Sequence, residues 1–265
     1  MKRLPTRIAR GVAAEIAGAA GYELRPVRSS PLVRLRDAGV TVTTVLDVGA
    51  ALGDWSRECA MTFPDARYLL VEPLDEFSAA LARLTASFSS AEHVRAAAAA
   101  TDGDVTFNVH ADLVGSSVYR EAEGAAVDGV PRTVPAVTLD TLAGERAAAG
   151  PYLLKVDVQG AELDVLRGAG RVLAESQAVI LEVSFIEFFD GGSLAHEVIS
   201  EMADRGFVIY DVLDLLDRPL DGTLAQANLV FVPKSSPARR EKGFASADQR
   251  AAQDALVDAA IRPRL

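Results

Sequence analysis

The sequence predicts an α/β fold with a mostly parallel central sheet flanked by helices, and three observations carry that expectation. Short runs rich in Val, Leu and Ile recur along the chain, as expected of strands buried on both faces. Between them lie segments whose apolar residues repeat at helical spacing, so strand and helix alternate. The chain has 265 residues, 49% hydrophobic and 24% charged, which is long enough and apolar enough to bury a sizeable core.

Taken in order, residues 1–42 read as a helical, Arg-rich N-terminal arm, with the GYELRPV segment extended. The opening MKRLPTRIARGVAAEIAGAAG puts basic residues before small apolar ones, as a signal peptide does. Glu15 interrupts the apolar stretch, and Arg7 and Arg10 spread the charge, which fits an amphipathic helix better. Thr44 to Val48 is apolar, β-branched and followed by glycines: a buried parallel strand ending in a turn. Asp54 to Met61 forms a helix, and Arg67 to Val71 is a second buried strand capped by Glu72-Pro73. Leu74, Phe77, Leu81, Leu84 and Phe88 give the stripe of the next helix.

In the middle, Val105 to Val109 and Thr133 to Val137 are short strands. The Gly- and Glu-rich loop between them, Asp112 to Gly129, is an insertion or a flap over a site. Tyr152 to Val158 is a third buried strand, and Val165, Leu166, Ala169, Val172 and Leu173 stripe the helix after it. Ala178 to Val183 is a fourth, followed by a helix with Ala195, Val198, Ile199 and Met202 on one side. Phe207 to Val212 and Asn228 to Val232 are two late strands. The tail is polar, with a terminal helix over Asp248 to Ile261. The chain divides into the arm (1–42), a core domain (43–234) and the tail (235–265).

The formal net charge of -10, from 27 Lys+Arg against 37 Asp+Glu, argues against a partner built of nucleic-acid phosphates, which needs a basic face. Cys59 is the only cysteine, so there is no intrachain disulfide and no CxxC zinc pair, and it reads as a small buried residue. No apolar run reaches the roughly 18 residues of a membrane-spanning helix, so no membrane is expected as a partner. The expected compartment is the cytoplasm. His93, His110 and His196 are scattered, which disfavours a His-rich metal site.

Chemistry concentrates at predicted strand ends. The first strand ends Asp47-Val48-Gly49-Ala50-Ala51-Leu52-Gly53, a turn whose glycines let the backbone approach a ligand. The spacing is not the GxGxxG fingerprint of a dinucleotide site. Glu72 ends the second strand about twenty residues later, where a nucleotide-binding βαβ unit holds a ribose diol. Lys155 and Asp157 lie two apart inside an apolar strand, on one face, and burying both needs partners. A plain ion pair is one reading. The other puts Asp157 at the carboxyl edge of the sheet, where ligands of open α/β sheets collect.

VLDVGAALG, VEPLDEF, VTLDTL followed by YLLKVDVQGAELDVLRGA, and AVILEV together resemble the FkbM-type family of S-adenosylmethionine-dependent methyltransferases, over about residues 43–233. Gly115-Ser116-Ser117 also looks like the family's serine pair in the central loop. One departure is Ala51, where the family commonly has Asn in a GANxG pattern.

The resemblance implies a Rossmann-like class I methyltransferase fold with S-adenosyl-L-methionine as cofactor. It implies that Asp47, Gly49, Ala50 and Gly53 surround the methionine part, that Glu72, with Pro73, holds the ribose hydroxyls, and that Ala97 and Ala98 lie by the adenine. Ser117 and Asp157 would face cofactor or acceptor. It further implies O-methylation of a hydroxyl on a sugar or secondary metabolite. The available bases are Asp157, Glu182 and His196, with Asp157 first.

Trp55 and the pair Phe188-Phe189 are candidates for the acceptor pocket or for packing. Asp157, Glu162 and Glu182 are candidate oxygen ligands for magnesium, but the same carboxylates serve equally as bases or caps, so no metal is expected. Two other readings stay open: a nicotinamide oxidoreductase, disfavoured by the absent third glycine, and a catalytically silent cofactor-binding scaffold, mildly supported by Ala51. The expected partner is a small-molecule or glycan acceptor. The Arg-rich arm leaves room for a homo-oligomer.

Overall fold

The computed structural model describes residues 29–260, so most of the arm, including GYELRPV, and the last five residues lie outside the described residues. The strands are β1 (Thr44–Val48), β2 (Arg67–Val71), β3 (Ala91–Val94), β4 (Ala97–Ala98), β5 (Gly103–Val109), β6 (Val130–Val137), β7 (Tyr152–Val156), β8 (Ser176–Ser184), β9 (Phe207–Asp217) and β10 (Leu224–Pro233). The helices are α1 (Pro31–Asp37), α2 (Asp54–Ala60), α3 (Asp75–Thr85), α4 (Leu139–Glu145), α5 (Glu162–Arg167), α6 (Gly170–Ala174), α7 (Ala195–Asp204) and α8 (Ala247–Ala260).

Seven strands form one sheet in the order β3-β2-β1-β7-β8-β10-β9. All neighbours are parallel except β10, which runs antiparallel to both β8 and β9. This is the Rossmann-like, mostly parallel sheet expected. β1 and β7 at its centre are buried at every position. Alternate side chains go to opposite faces. Leu46, Val48, Leu69, Val71, Leu154 and Val156 meet α4 to α7 on one side. Val45, Tyr68, Leu70 and Leu153 meet α1, α2 and α3 on the other. No described helix is long and apolar enough to cross a membrane.

Several elements differ from the sequence reading. The two middle strands do not join the main sheet: β5 and β6 pair antiparallel, and β4 adds to β6, in a separate three-stranded sheet. Between α3 and β5 the chain divides at Arg95, with Val94 ending β3 and Ala97 opening β4. The late strands run on into a long hairpin, because β9 and β10 keep pairing out to Asp217 and Leu224.

The single helix expected after β7 is two short ones. A side chain at Gly168 would put its Cβ 2.2 Å from the Ala99 carbonyl oxygen, so the helix stops there to let β4 pass. Asp140 then accepts from the amides of Arg171 and Val172, each at 2.9 Å, and starts α6. Thr138 caps α4 by accepting from the Thr141 amide. VTLDTL is therefore a clasp between helices. Phe88 falls past the end of α3 and packs edge-on against Tyr68.

Candidate functional site

A large cavity, about 590 Å³, opens at the carboxyl ends of β1, β2 and β7. Its floor on one side is the β1 turn. Gly49 has φ +74°, and a Cβ there would sit 1.8 Å from the Asp157 carbonyl oxygen, so only glycine fits where β1 and β7 converge. Asp157 in turn donates its amide to Val48 at 3.0 Å. The Ala51 amide, at φ +44°, donates to Glu72 Oε2, and the Leu74 amide donates to Oε1, both at 3.0 Å. Each oxygen of Glu72 thus has one donor and keeps lone pairs for a ligand hydroxyl. Burial raises the Glu72 pKa despite these two bonds. Pro73, Ala97 and Ala98 line the same cavity, with Ala50 beside the turn.

The opposite wall is ionic. In-register pairing of β1 with β7 sets Asp47 beside Lys155. The Lys155 Nζ lies 3.7 Å from Asp47 Oδ1 and 3.0 Å from Asp157 Oδ2. Burial opposes the Lys155 charge, but Asp157 and Asp47 outweigh it and its pKa lies above the ordinary value. Asp47 is fully buried, with Oδ2 accepting from Ser56 Oγ at 2.6 Å. Burial raises its pKa, against the pull of Lys155.

Gln159 Nε2 donates to Asp157 Oδ1 at 3.0 Å and to Glu182 Oε2 at 2.8 Å. Gln226 Nε2, from β10, donates to the same Glu182 oxygen at 2.9 Å. Burial, then the negative charges of Asp157 and Glu162, push the Glu182 pKa up to about 9. Two neighbouring carboxyls are thereby set apart: Lys155 supplies the counter-charge for Asp157, and Glu182 retains a proton at neutral pH.

Not every expected site residue reaches this cavity. Asp47 stands behind the wall, and Gly53, at φ +77°, caps α2 and faces Leu84 and Leu81. Ser117 is fully buried, and its hydroxyl donates to the Gln159 carbonyl at 2.6 Å and accepts from the Tyr119 amide. It fixes Gln159, which has a left-handed φ of +54°. Its neighbour Ser116 lines the cavity instead. His196 lies in a separate surface depression with Tyr119 and Asp164.

Glu162 turns away, accepting from the amides of Val158 and Gly160 and from Ser193 Oγ, with its pKa raised to about 7 chiefly by burial. No cluster of His, Cys, Asp and Glu suited to a metal ion occurs among the described residues. Trp55 lines the large cavity. The sequence reading assigned no role to Gln159, Gln226 or Ser56. Gln159 stands within DVQGAE, and its strand-end place was a usable signal. Gln226 had none, because its partner Glu182 is 44 residues away.

A family profile described as "Methyltransferase FkbM domain" matches residues 47–209. No curated protein matches the chain in sequence. Among solved structures, the chain is similar to fibrillarin from Aeropyrum pernix, in complex with natively bound S-adenosyl-L-methionine. The identity is 13% and the TM-score 0.45, covering 84% of this chain and 74% of that one. It is also similar to precorrin-6y C5,15-methyltransferase from Geobacter metallireducens GS-15, at 10% identity and TM-score 0.41, covering 78% of this chain and 93% of that one.

Proposed function

The chain belongs to the FkbM methyltransferase family, and from that premise we propose that it transfers a methyl group from S-adenosyl-L-methionine to a hydroxyl of a small sugar or secondary metabolite. The observation that carries this reading is one cavity with a ribose-competent carboxylate, Glu72, in one wall and the Asp157–Glu182 pair in the other. S-adenosylmethionine, when bound, supplies a methyl group made electrophilic by a positively charged sulfur.

Glu72 accepts from the ribose hydroxyls through the lone pairs its backbone donors leave free. Gly49 and Ala50 bring bare backbone to the methionine part, and Ala97 and Ala98 give a flat apolar wall for the adenine. Asp157 would take the proton of the acceptor hydroxyl, whose oxygen would gain the methyl group as the bond from that methyl to sulfur breaks and S-adenosylhomocysteine leaves. Lys155, 3.0 Å from Asp157, holds that carboxylate in place. Glu182, whose pKa burial raises, shares a hydrogen bond with Asp157 and, with Gln159 and Gln226 donating to it, gives the acceptor end of the cavity a neutral polar wall. Positioning supplies much of the rate in such an in-line displacement. Carboxylates around the cavity and a net charge of -10 favour a neutral acceptor over a nucleic acid.

Membership of a methyltransferase family removes the ground for the nicotinamide reading. Calorimetry tests the proposal: S-adenosylhomocysteine binds at micromolar concentration and NAD does not. The opposite result sinks it. A chain that binds the homocysteine compound yet methylates nothing in a broad alcohol and glycoside screen is a silent scaffold.

A further inference from the structure

A second, smaller cavity of about 240 Å³ adjoins the first and has Gly115, Gln159, Leu216 and Gln226 in common with it. The amides of Gln159 and Gln226 converge on Glu182 at this junction. Beyond it the walls change character. Phe188 and Phe189, from the segment after β8, face Leu216, Pro219 and Ala225 of the β9–β10 hairpin.

The one cation there, Arg218, is held by Asp221, with Nε and Nη2 donating to its two oxygens at 3.1 and 2.5 Å. It is therefore committed to the hairpin turn and offers little to an anionic ligand. One antiparallel bridge, Glu121 with Phe189, ties the central loop to the aromatic pair, with the Ala122 amide donating to the Phe188 carbonyl at 2.7 Å and the Asp190 amide to the Arg120 carbonyl at 2.8 Å. The same hairpin also exposes Leu215 and Leu220.

We propose that this smaller cavity is the acceptor site, and that it takes a hydroxyl carried on an apolar body, with the hydroxyl directed to the Gln159–Glu182–Gln226 junction and the body lying between Phe188 and Leu216. The proposal rests on the methyltransferase reading and narrows its acceptor. Glu121 and Asp217 also line the cavity, but a free monosaccharide presents hydroxyls on every side, and those turned to Phe188, Phe189, Leu216, Pro219 and Ala225 would find no partner, which is unfavourable. An alcohol on a hydrocarbon ring or chain satisfies its one polar group at the junction and buries the rest. Phe188 and Leu216 are then specificity-determining residues, Phe188 in the smaller cavity alone and Leu216 where the two cavities meet.

The test uses the full chain saturated with S-adenosylhomocysteine and titrated with trans-4-tert-butylcyclohexanol or glucose, with binding followed by calorimetry or ligand-observed NMR. The cyclohexanol is expected to bind at least tenfold more tightly than glucose. Phe188→Ala and Leu216→Glu should each weaken it about tenfold, and in Phe188→Ala, whose side chain lines the smaller cavity and not the larger one, the affinity for S-adenosylhomocysteine stays within twofold. Leu216 is exposed, so its replacement leaves the fold intact.

Equal or tighter binding of glucose overturns the proposal. So does cyclohexanol binding that ignores both substitutions, or its absence from a protein that binds the homocysteine compound. Failure to bind S-adenosylhomocysteine would instead strike the methyltransferase reading itself.

Discussion

The two ends of the cavity are built differently. At the Glu72 end, the walls come from residues 49–51 and 72–74, joined over short sequence distances: the Ala51 and Leu74 amides donate to the Glu72 carboxylate, and Gly49 is pressed against the Asp157 carbonyl. At the Glu182 end, contacts come from side chains brought together over long distances, with Gln159 and Gln226 meeting on one carboxyl and Ser117 anchoring Gln159 from the central loop. A backbone-built end suits a ligand of fixed shape. A side-chain-built end can change its acceptor by changing a few residues and leave the sheet alone.

The largest expected effect breaks the second end. Asp157→Asn keeps the shape and removes the proton acceptor, so turnover should fall about 10²- to 10⁴-fold, the usual contribution of a positioned base. Affinity for S-adenosylhomocysteine should change only a few-fold, because Glu72 and the β1 turn are untouched. Rapid-mix methyl transfer and calorimetry read the two quantities separately. A variant with undiminished turnover would remove Asp157 from the chemistry.

Next comes the first end. Glu72→Gln places an amide group against two backbone N–H donors that a carboxylate satisfies, and one of them loses its acceptor. A hydrogen bond to a charged group contributes about 1.5–3 kcal/mol, so cofactor affinity should drop roughly 10- to 100-fold. The rate at saturating cofactor should change far less than in Asp157→Asn. Were both variants to lose rate and affinity in equal measure, the division of the cavity into two ends would fail.

How much of each end was legible follows from the same contrast. β1, β2, β7 and β8 are continuous apolar runs, and the glycine turn and Glu72 lie within a few residues of the strands that position them, so local pattern sufficed. The serine pair was legible too, but its use was not. Ser116 faces the cavity, and Ser117 turns inward to brace Gln159. Asp47 and Gly53 sit in the right turn yet point into the core, because β-strand alternation and the α2 cap decide their direction. Gln226 was illegible: only the antiparallel insertion of β10 beside β8 brings it to Glu182. His196, at the start of α7, lies in a separate surface depression because the turn before that helix leads away from the large cavity.

A smaller effect concerns the proton on Glu182. Its pKa in the folded chain is about 9 against an ordinary 4.5, raised by burial first and by Asp157 second. A raised pKa means the folded state binds the proton more tightly than the unfolded one. The stability it contributes is therefore complete below about pH 4.5 and is lost as pH climbs to about 9. Glu182→Gln mimics the protonated form, so the fall in unfolding free energy between those pH values should flatten. The alkaline limb of the rate profile, with its midpoint near 9, should disappear as well. An alkaline limb of unchanged midpoint in the variant would assign it to another group.

The smallest effect returns to the backbone end. Ala51 sits at φ +44°, a left-handed conformation that strains any residue with a Cβ and that Asn tolerates better through local hydrogen bonding. Its amide must stay there to serve Glu72. Ala51→Asn should therefore relieve strain without moving that bond and raise stability by about 0.5 kcal/mol, or a melting temperature gain of about 1–2 °C for a chain of this size. Because the side chain at position 51 lines the cavity, the same change should also tighten S-adenosylhomocysteine binding by no more than a few-fold, through a turn held more firmly. It should leave cyclohexanol affinity alone, since the turn is remote from Phe188 and Leu216. A lower melting temperature would show that the turn depends on a small side chain more than on its dihedral angle, and coupled changes at both ends would mean that the β1 turn and the junction at Glu182 move as one unit.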